Sequence, residues 1–129
     1  MLDLEIILFV LFAYLTGAFP SAVWVGKIFC NIDVREYGSG NAGATNAFRV
    51  LGKRFGIPVL LMDVFKGWLA VNYVWLSSDI SSLSVELLFE NQLAFGIAAV
   101  IGHLFPVYTG FRGGKGIATM LGLLIGLQL

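Results

Sequence analysis

The sequence predicts an all-α, polytopic integral membrane protein, with residues 1–129 forming a single membrane domain. Three observations carry this. Hydrophobic residues make up 58% of the chain and mean hydropathy is +0.88, whereas a soluble domain is nearer half apolar. The excess falls in long uncharged runs of membrane-spanning length. With three crossings, all eight Lys and Arg fall at or near one membrane face, the arrangement expected when basic loops share it.

The first run, Ile6–Gly26, is uncharged over about 21 positions, enough for a bilayer of roughly 30 Å. Gly17 and Pro20 interrupt it, which spanning helices tolerate when neighbours satisfy the freed backbone. Asp3 and Glu5 stand where a signal peptide would be basic, so the run reads as a resident helix. The polar segment Lys27–Arg54 follows. A second run, Phe55–Ser77, carries Asp63 and Lys66 in its first half; three apart, they are neighbours on one helix face. Ser78–Glu90 reads as an acidic connection. The third run, Asn91–Phe111, bears His103 and Pro106 near its end. After the short loop Gly110–Gly116, a fourth run starts at Ile117. At about 13 residues, or roughly 20 Å, that run is too short to span. The expectation is three full transmembrane helices plus a partial fourth, the N-terminal part of a longer polytopic protein. Three crossings put both basic loops on the cytoplasmic face, the acidic connection opposite and the N-terminus outside.

The chemistry concentrates in the two glycine-rich stretches. Tyr37–Lys53 reads YGSGNAGATNAFRVLGK, small and polar residues that cannot build a core. Glycines allow backbone N–H groups to line an anion-binding concavity. From Ala44 the spacing becomes helical, with Asn46, Arg49 and Lys53 on one face. The second stretch surrounds Lys115 with Gly113, Gly114 and Gly116 directly before a helix start. A helix N-terminus with a nearby cation suits a phosphate. It is not a Walker A loop, because Thr109 and Gly116 stand where that pattern requires Gly and Ser/Thr. Ser39 sits outside a G-x-S-x-G elbow, so it reads as a phosphate ligand or loop-capping hydroxyl. Asp63 and Lys66 read either as an ion pair between helices or as a phosphate-reaching lysine with its orienting carboxylate. His103 is the only histidine. Asp, Glu and His are too sparse at the basic face for a metal centre, and the lone Cys30 excludes an intramolecular disulfide. No cofactor is expected, and the zero net charge makes no case for nucleic acid.

The stretches GSGNAGATNAFRVLGK (Gly38–Lys53), DVFKG (Asp63–Gly67) and GHLFPVYTGFRGGKGIAT (Gly102–Thr119) resemble, in this order, the bacterial acyl-phosphate-dependent glycerol-3-phosphate acyltransferases. The resemblance implies a polytopic inner-membrane enzyme that moves a fatty acyl group from acyl phosphate to glycerol 3-phosphate. The products would be 1-acyl-glycerol 3-phosphate (lysophosphatidic acid) and phosphate, the start of phospholipid synthesis. Its partners would be these two substrates, the lipid bilayer and a cytoplasmic enzyme that makes acyl phosphate. Matched by position, it implies Ser39, Arg49 and Lys115 as catalytic residues. It also implies phosphate binding by Gly113, Gly114 and Gly116 and matches Asn41, Thr45 and Asn46 in the first motif; Gly40 and Gly43, with Lys53, Lys66 and His103, join the expected phosphate-binding set as nearby loop and polar groups. Ala42 stands where many members have Pro, which relaxes the loop. The family's third motif, with His, Asn and Glu, would lie past Leu129. The residues alone also suit a transporter for a small phosphorylated anion, although such sites lie near the bilayer midplane.

Overall fold

The computed structural model describes residues 3–127, and these contain helices and turns without a strand. Six α-helices run in order: α1 Asp3–Gly17, α2 Ser21–Cys30, α3 Ala44–Leu51, α4 Lys53–Val71, α5 Val85–Leu104 and α6 Ile117–Gly126. Three stretches are long and apolar enough to cross a membrane: Asp3–Cys30, Lys53–Leu76 and Val85–Thr109.

The first run is a broken helix, not a continuous one. Pro20 has no N–H to continue the ladder, and α1 ends at Gly17 before α2 restarts at Ser21. The connection after α4 is shorter than its charge suggests. Ser84 caps α5 by accepting from the Leu87 N–H at 3.2 Å, so Glu86 and Glu90 lie on the helix. At its other end α5 stops at Leu104, two residues before Pro106. Residues 128–129 of the fourth run lie outside the described residues.

Helices approach closely through small residues, as expected where lipid supplies no hydrophobic drive. A Cβ on Gly17 would fall 1.8 Å from the Ala99 carbonyl of α5, and one on Gly122 of α6 would fall 1.9 Å from the Val64 carbonyl of α4. The α1/α5 seam buries Ala13, Phe95 and Ala99 together with Ala70 and Val74. A second cluster, with Val23, Val34, Ala47 and Val59, sits under the polar segment and supports α3. Large apolar side chains such as Leu8, Leu61, Phe65 and Ile125 point outward. At one end of the bundle Glu5 accepts from the Ser78 N–H at 2.9 Å; both glycine-rich stretches lie at the other.

Candidate functional site

The first glycine-rich stretch is shaped by Asn46. Its side chain is buried; Nδ2 donates to the carbonyls of Val34, Tyr37 and Asn41, and Oδ1 accepts from the Ser39 N–H at 3.0 Å. The loop N–H groups are therefore largely engaged within the loop. Gly40 donates to Tyr37 O, Asn41 to Ser39 Oγ and Gly43 to Asn41 Oδ1. What remains open is the start of α3, whose Gly43 N-cap offers no side-chain bond. Such a start leaves N–H groups without intrahelical partners.

Upstream, Asp33 and Arg35 fix the loop's root. Arg35 Nη2 lies 2.7 Å from Asp33 Oδ2, and Arg35 Nη1 donates to the Thr109 carbonyl at 2.9 Å, tying the two polar stretches together. The guanidinium's hydrogen bonds hold the Asp33 carboxyl down to about 2, and the carboxylate in turn raises Arg35.

In the second stretch the Gly113 and Gly114 N–H groups turn back onto α5, donating to Leu104 O and His103 O. These two glycines are needed for closeness. A Cβ on Gly114 would lie 2.5 Å from His103 Nε2 and 2.9 Å from Gly43 Cα, so the two loops touch backbone to backbone. Gly116, at φ +79°, is the N-cap of α6 and supplies no side-chain bond, which leaves a second helix start open.

Both open starts border one cavity of 390 Å³. Gly43, Ala44, Thr45 and Asn46 come from the α3 side, and Gly116, Ile117 and Ala118 from the α6 side. Ser39, Asn41, Arg49 and Lys115 also line it. Among the described residues the exposed Arg49 and Lys115 side chains have no ion-pair or hydrogen-bond partner, so two cations remain available to a ligand. Each open helix start adds roughly half a positive charge. Leu60, Ile117 and Leu121 give the same cavity an apolar flank. An anion carrying an aliphatic tail matches this mixture.

Asp63 and His103 form part of the wall as well. Asp63 Oδ1 lies 3.1 Å from Lys66 Nζ and 3.8 Å from His103 Nδ1, and all three side chains are buried. Lys66 also donates to Phe19 O at 2.9 Å, a carbonyl at the break between α1 and α2.

The structure thus brings together Ser39, Asn41, Gly43, Thr45, Asn46, Arg49, His103, Lys115 and Gly116, and separates others from them. Lys53 is a correction: Gly52, at φ +78°, ends α3, and Lys53 starts α4 away from the Arg49 face and the cavity. Lys66 is held in the buried pair instead of reaching a phosphate. Gly40, Gly113 and Gly114 do not line the cavity, and their N–H groups are engaged. Asn46 borders it, but its polar atoms serve the loop. Of the lining residues absent from the expected site set, Ala44, Leu60, Ile117, Ala118 and Leu121 are apolar, and Asp63 is the one that is polar. Its signal was a charge inside an apolar run, and which way that charge faced depended on helix packing. No group of three metal-ligating side chains occurs among the described residues.

Three stretches of spanning length, the first broken at Pro20, and a cavity lined by Arg49, Lys115 and an apolar flank at one end of the bundle define a polytopic helical membrane protein. Residues 7–129 match the family model described as glycerol-3-phosphate acyltransferase, and the chain belongs to that family. It is 49% identical over 122 residues to the glycerol-3-phosphate acyltransferase of Enterococcus faecalis, covering 95% of this chain and 52% of that protein. With the enzyme of the same description from Staphylococcus saprophyticus it shares 45% over 124 residues, covering 95% and 61%. The fold superimposes on a crystal structure of PlsY (YgiH), an integral membrane glycerol 3-phosphate acyltransferase, in its glycerol 3-phosphate form. There the TM-score is 0.81 at 36% identity, covering 94% of this chain and 56% of that one. The lysophosphatidic acid form matches with a TM-score of 0.77 at 35% identity and the same coverage. The chain spans a little over half the length of these relatives.

Proposed function

We propose that this chain carries the phosphate-binding part of an enzyme that transfers a fatty acyl group from acyl phosphate to glycerol 3-phosphate. The products are 1-acyl-glycerol 3-phosphate and inorganic phosphate. The observation that carries the reading is the single cavity in which Ser39 and Arg49 meet Lys115 between two open helix starts. Relatives described as glycerol-3-phosphate acyltransferases, one of them solved in glycerol 3-phosphate and lysophosphatidic acid forms, support the substrate class.

Acyl phosphate is a mixed anhydride and already activated, so the protein's work is alignment and charge stabilisation. Arg49 grips a phosphate bidentately, which a lysine cannot do. Lys115 and the start of α6 neutralise the charge that builds on the departing phosphate. The Ser39 and Thr45 hydroxyls complete the oxygen shell, and the acyl tail leaves along Leu60 and Leu121 toward lipid. The basic residues favour a cytoplasmic site in a bacterial inner membrane, with the N-terminus outside. A cytoplasmic enzyme that makes acyl phosphate is the natural donor partner.

The test is phosphate release from palmitoyl phosphate in proteoliposomes of the protein. Release that requires glycerol 3-phosphate and yields lysophosphatidic acid supports the reading. Uptake of glycerol 3-phosphate without turnover would replace it with a transporter.

A further inference from the structure

The start of α4 carries a second basic feature, apart from the cavity. Lys53 and Arg54 are exposed there, and neither lines the cavity. Among the described residues neither is in an ion pair. The Arg54 guanidinium carbon lies 5.5 Å from the centroid of the Phe55 ring. That ring stacks on Phe29 of α2, with centroids 5.8 Å apart and planes inclined by 22°. Phe29, Phe55 and Arg54 thus join the end of α2 to the start of α4. An apolar face continues from this cluster. Ile57, Leu61, Phe65 and Trp68 follow Arg54 at steps of three and four, so they share its side of the helix, and all four are exposed. The Phe65 and Trp68 rings stack on each other at 5.7 Å.

We propose that Lys53, Arg54 and the Phe29–Phe55 pair form a binding site for an anionic phospholipid. The lipid phosphate sits against the two cations, and one acyl chain lies along Ile57, Leu61 and Phe65. This site is independent of the acyltransferase reading. Depth supports it first. The stretches Asp3–Cys30 and Lys53–Leu76 are both of spanning length, so the end of α2 and the start of α4 fall where a span leaves hydrocarbon and headgroups begin. From Arg54 to Phe65 the helix rises about 16 Å, close to one leaflet's share of a roughly 30 Å core. Charge complementarity then selects the occupant. A zwitterionic headgroup would bring its own ammonium to a doubly positive patch, whereas phosphatidylglycerol brings only negative charge. A tail-free anion would use the cations and leave the apolar face without a partner. The aromatic pair braces the guanidinium and supplies the ring surface that favours headgroup level.

The experiment is native mass spectrometry of the protein released from nanodiscs of phosphatidylglycerol and phosphatidylcholine in equal parts with matched chains. Wild type is expected to retain phosphatidylglycerol in preference. A basic residue at a membrane surface favours an anionic lipid about fivefold, so Lys53→Gln with Arg54→Gln should lower the retained ratio about 25-fold. Lys53→Arg with Arg54→Lys preserves charge and should preserve the ratio. Arg49→Ala, inside the cavity, should leave it unchanged. No preference in wild type would overturn the proposal, as would an unchanged ratio in the glutamine pair. A ratio lost in Arg49→Ala and kept in the glutamine pair would put the lipid in the cavity and overturn it too. So would displacement of the lipid by inorganic phosphate alone, or a dimer that the glutamine pair breaks while its lipid ratio stays. If the glutamine pair does not accumulate, Arg54→Gln alone decides, with a loss of about fivefold expected and an unchanged ratio overturning the site.

Discussion

Gly114→Ala tests whether the two glycine-rich stretches must touch. The added Cβ would lie 2.9 Å from Gly43 Cα, 3.0 Å from Gly43 N and 2.5 Å from His103 Nε2. Carbon atoms pack at about 3.5–4.0 Å, so the loops would have to part by roughly 0.6–1 Å. His103 cannot simply swing aside, because it is buried against Asp63. Gly43 is held by its bond to Asn41 Oδ1 and opens α3. Overpacking of this kind costs about 1–3 kcal/mol of stability. Moving Arg49 and Lys115 apart by about 1 Å should lower kcat/KM about 100-fold. Phosphate release is measured beside the thermal midpoint, with Gly110→Ala as the control. Gly110 has a positive φ of +68° but nothing within 4 Å, so its substitution costs about 1–2 kcal/mol of strain without touching the cavity. A folded Gly114→Ala protein within about threefold of wild-type kcat/KM would refute the reasoning. Equal activity losses in the two variants would do the same.

Other substitutions separate ligand from scaffold. Arg49→Lys should leave the thermal midpoint unchanged and lower kcat about 100-fold, since a point charge cannot replace the bidentate grip. Asn46→Ala removes four bonds from a buried hub and should cost about 2–4 kcal/mol in denaturant titration, with activity lost in proportion to unfolding. The Asp33 carboxyl is held at about 2 against an ordinary 3.8, so its stabilising contribution is complete above about pH 4. It is lost as pH falls toward 2; Asp33→Asn should flatten that part of the stability curve, followed by circular dichroism.

The sequence made the helix starts at Ala44 and Ile117 legible, because glycine and polar residues give way there to helical apolar spacing. The meeting of the two loops was legible too, since two spans between them return the chain to the same end of the bundle, where the basic residues gather. Less visible was which groups in a loop face a ligand. An asparagine in a glycine-rich stretch serves a phosphate or its own backbone equally well, and Asn46 does the latter. The same holds for the N–H groups of Gly113 and Gly114, which cap α5. Lys53 shared a helical spacing with Arg49, yet one glycine at positive φ redirected the chain between them. Asp63 faces the cavity because Gly67 and Gly122 set how α4 sits on α6, a rotation no single-helix pattern records.

The central claim is that both loops act on one bound anion. A double-mutant cycle on glycerol 3-phosphate-dependent phosphate release, using Arg49→Ala, Lys115→Ala and the combination, addresses it most directly. Residues sharing one ligand are expected to show a coupling above about 1 kcal/mol, the double variant losing clearly less than the sum of the single losses. Losses that add within about 0.5 kcal/mol would place the two cations on separate ligands and contradict the account.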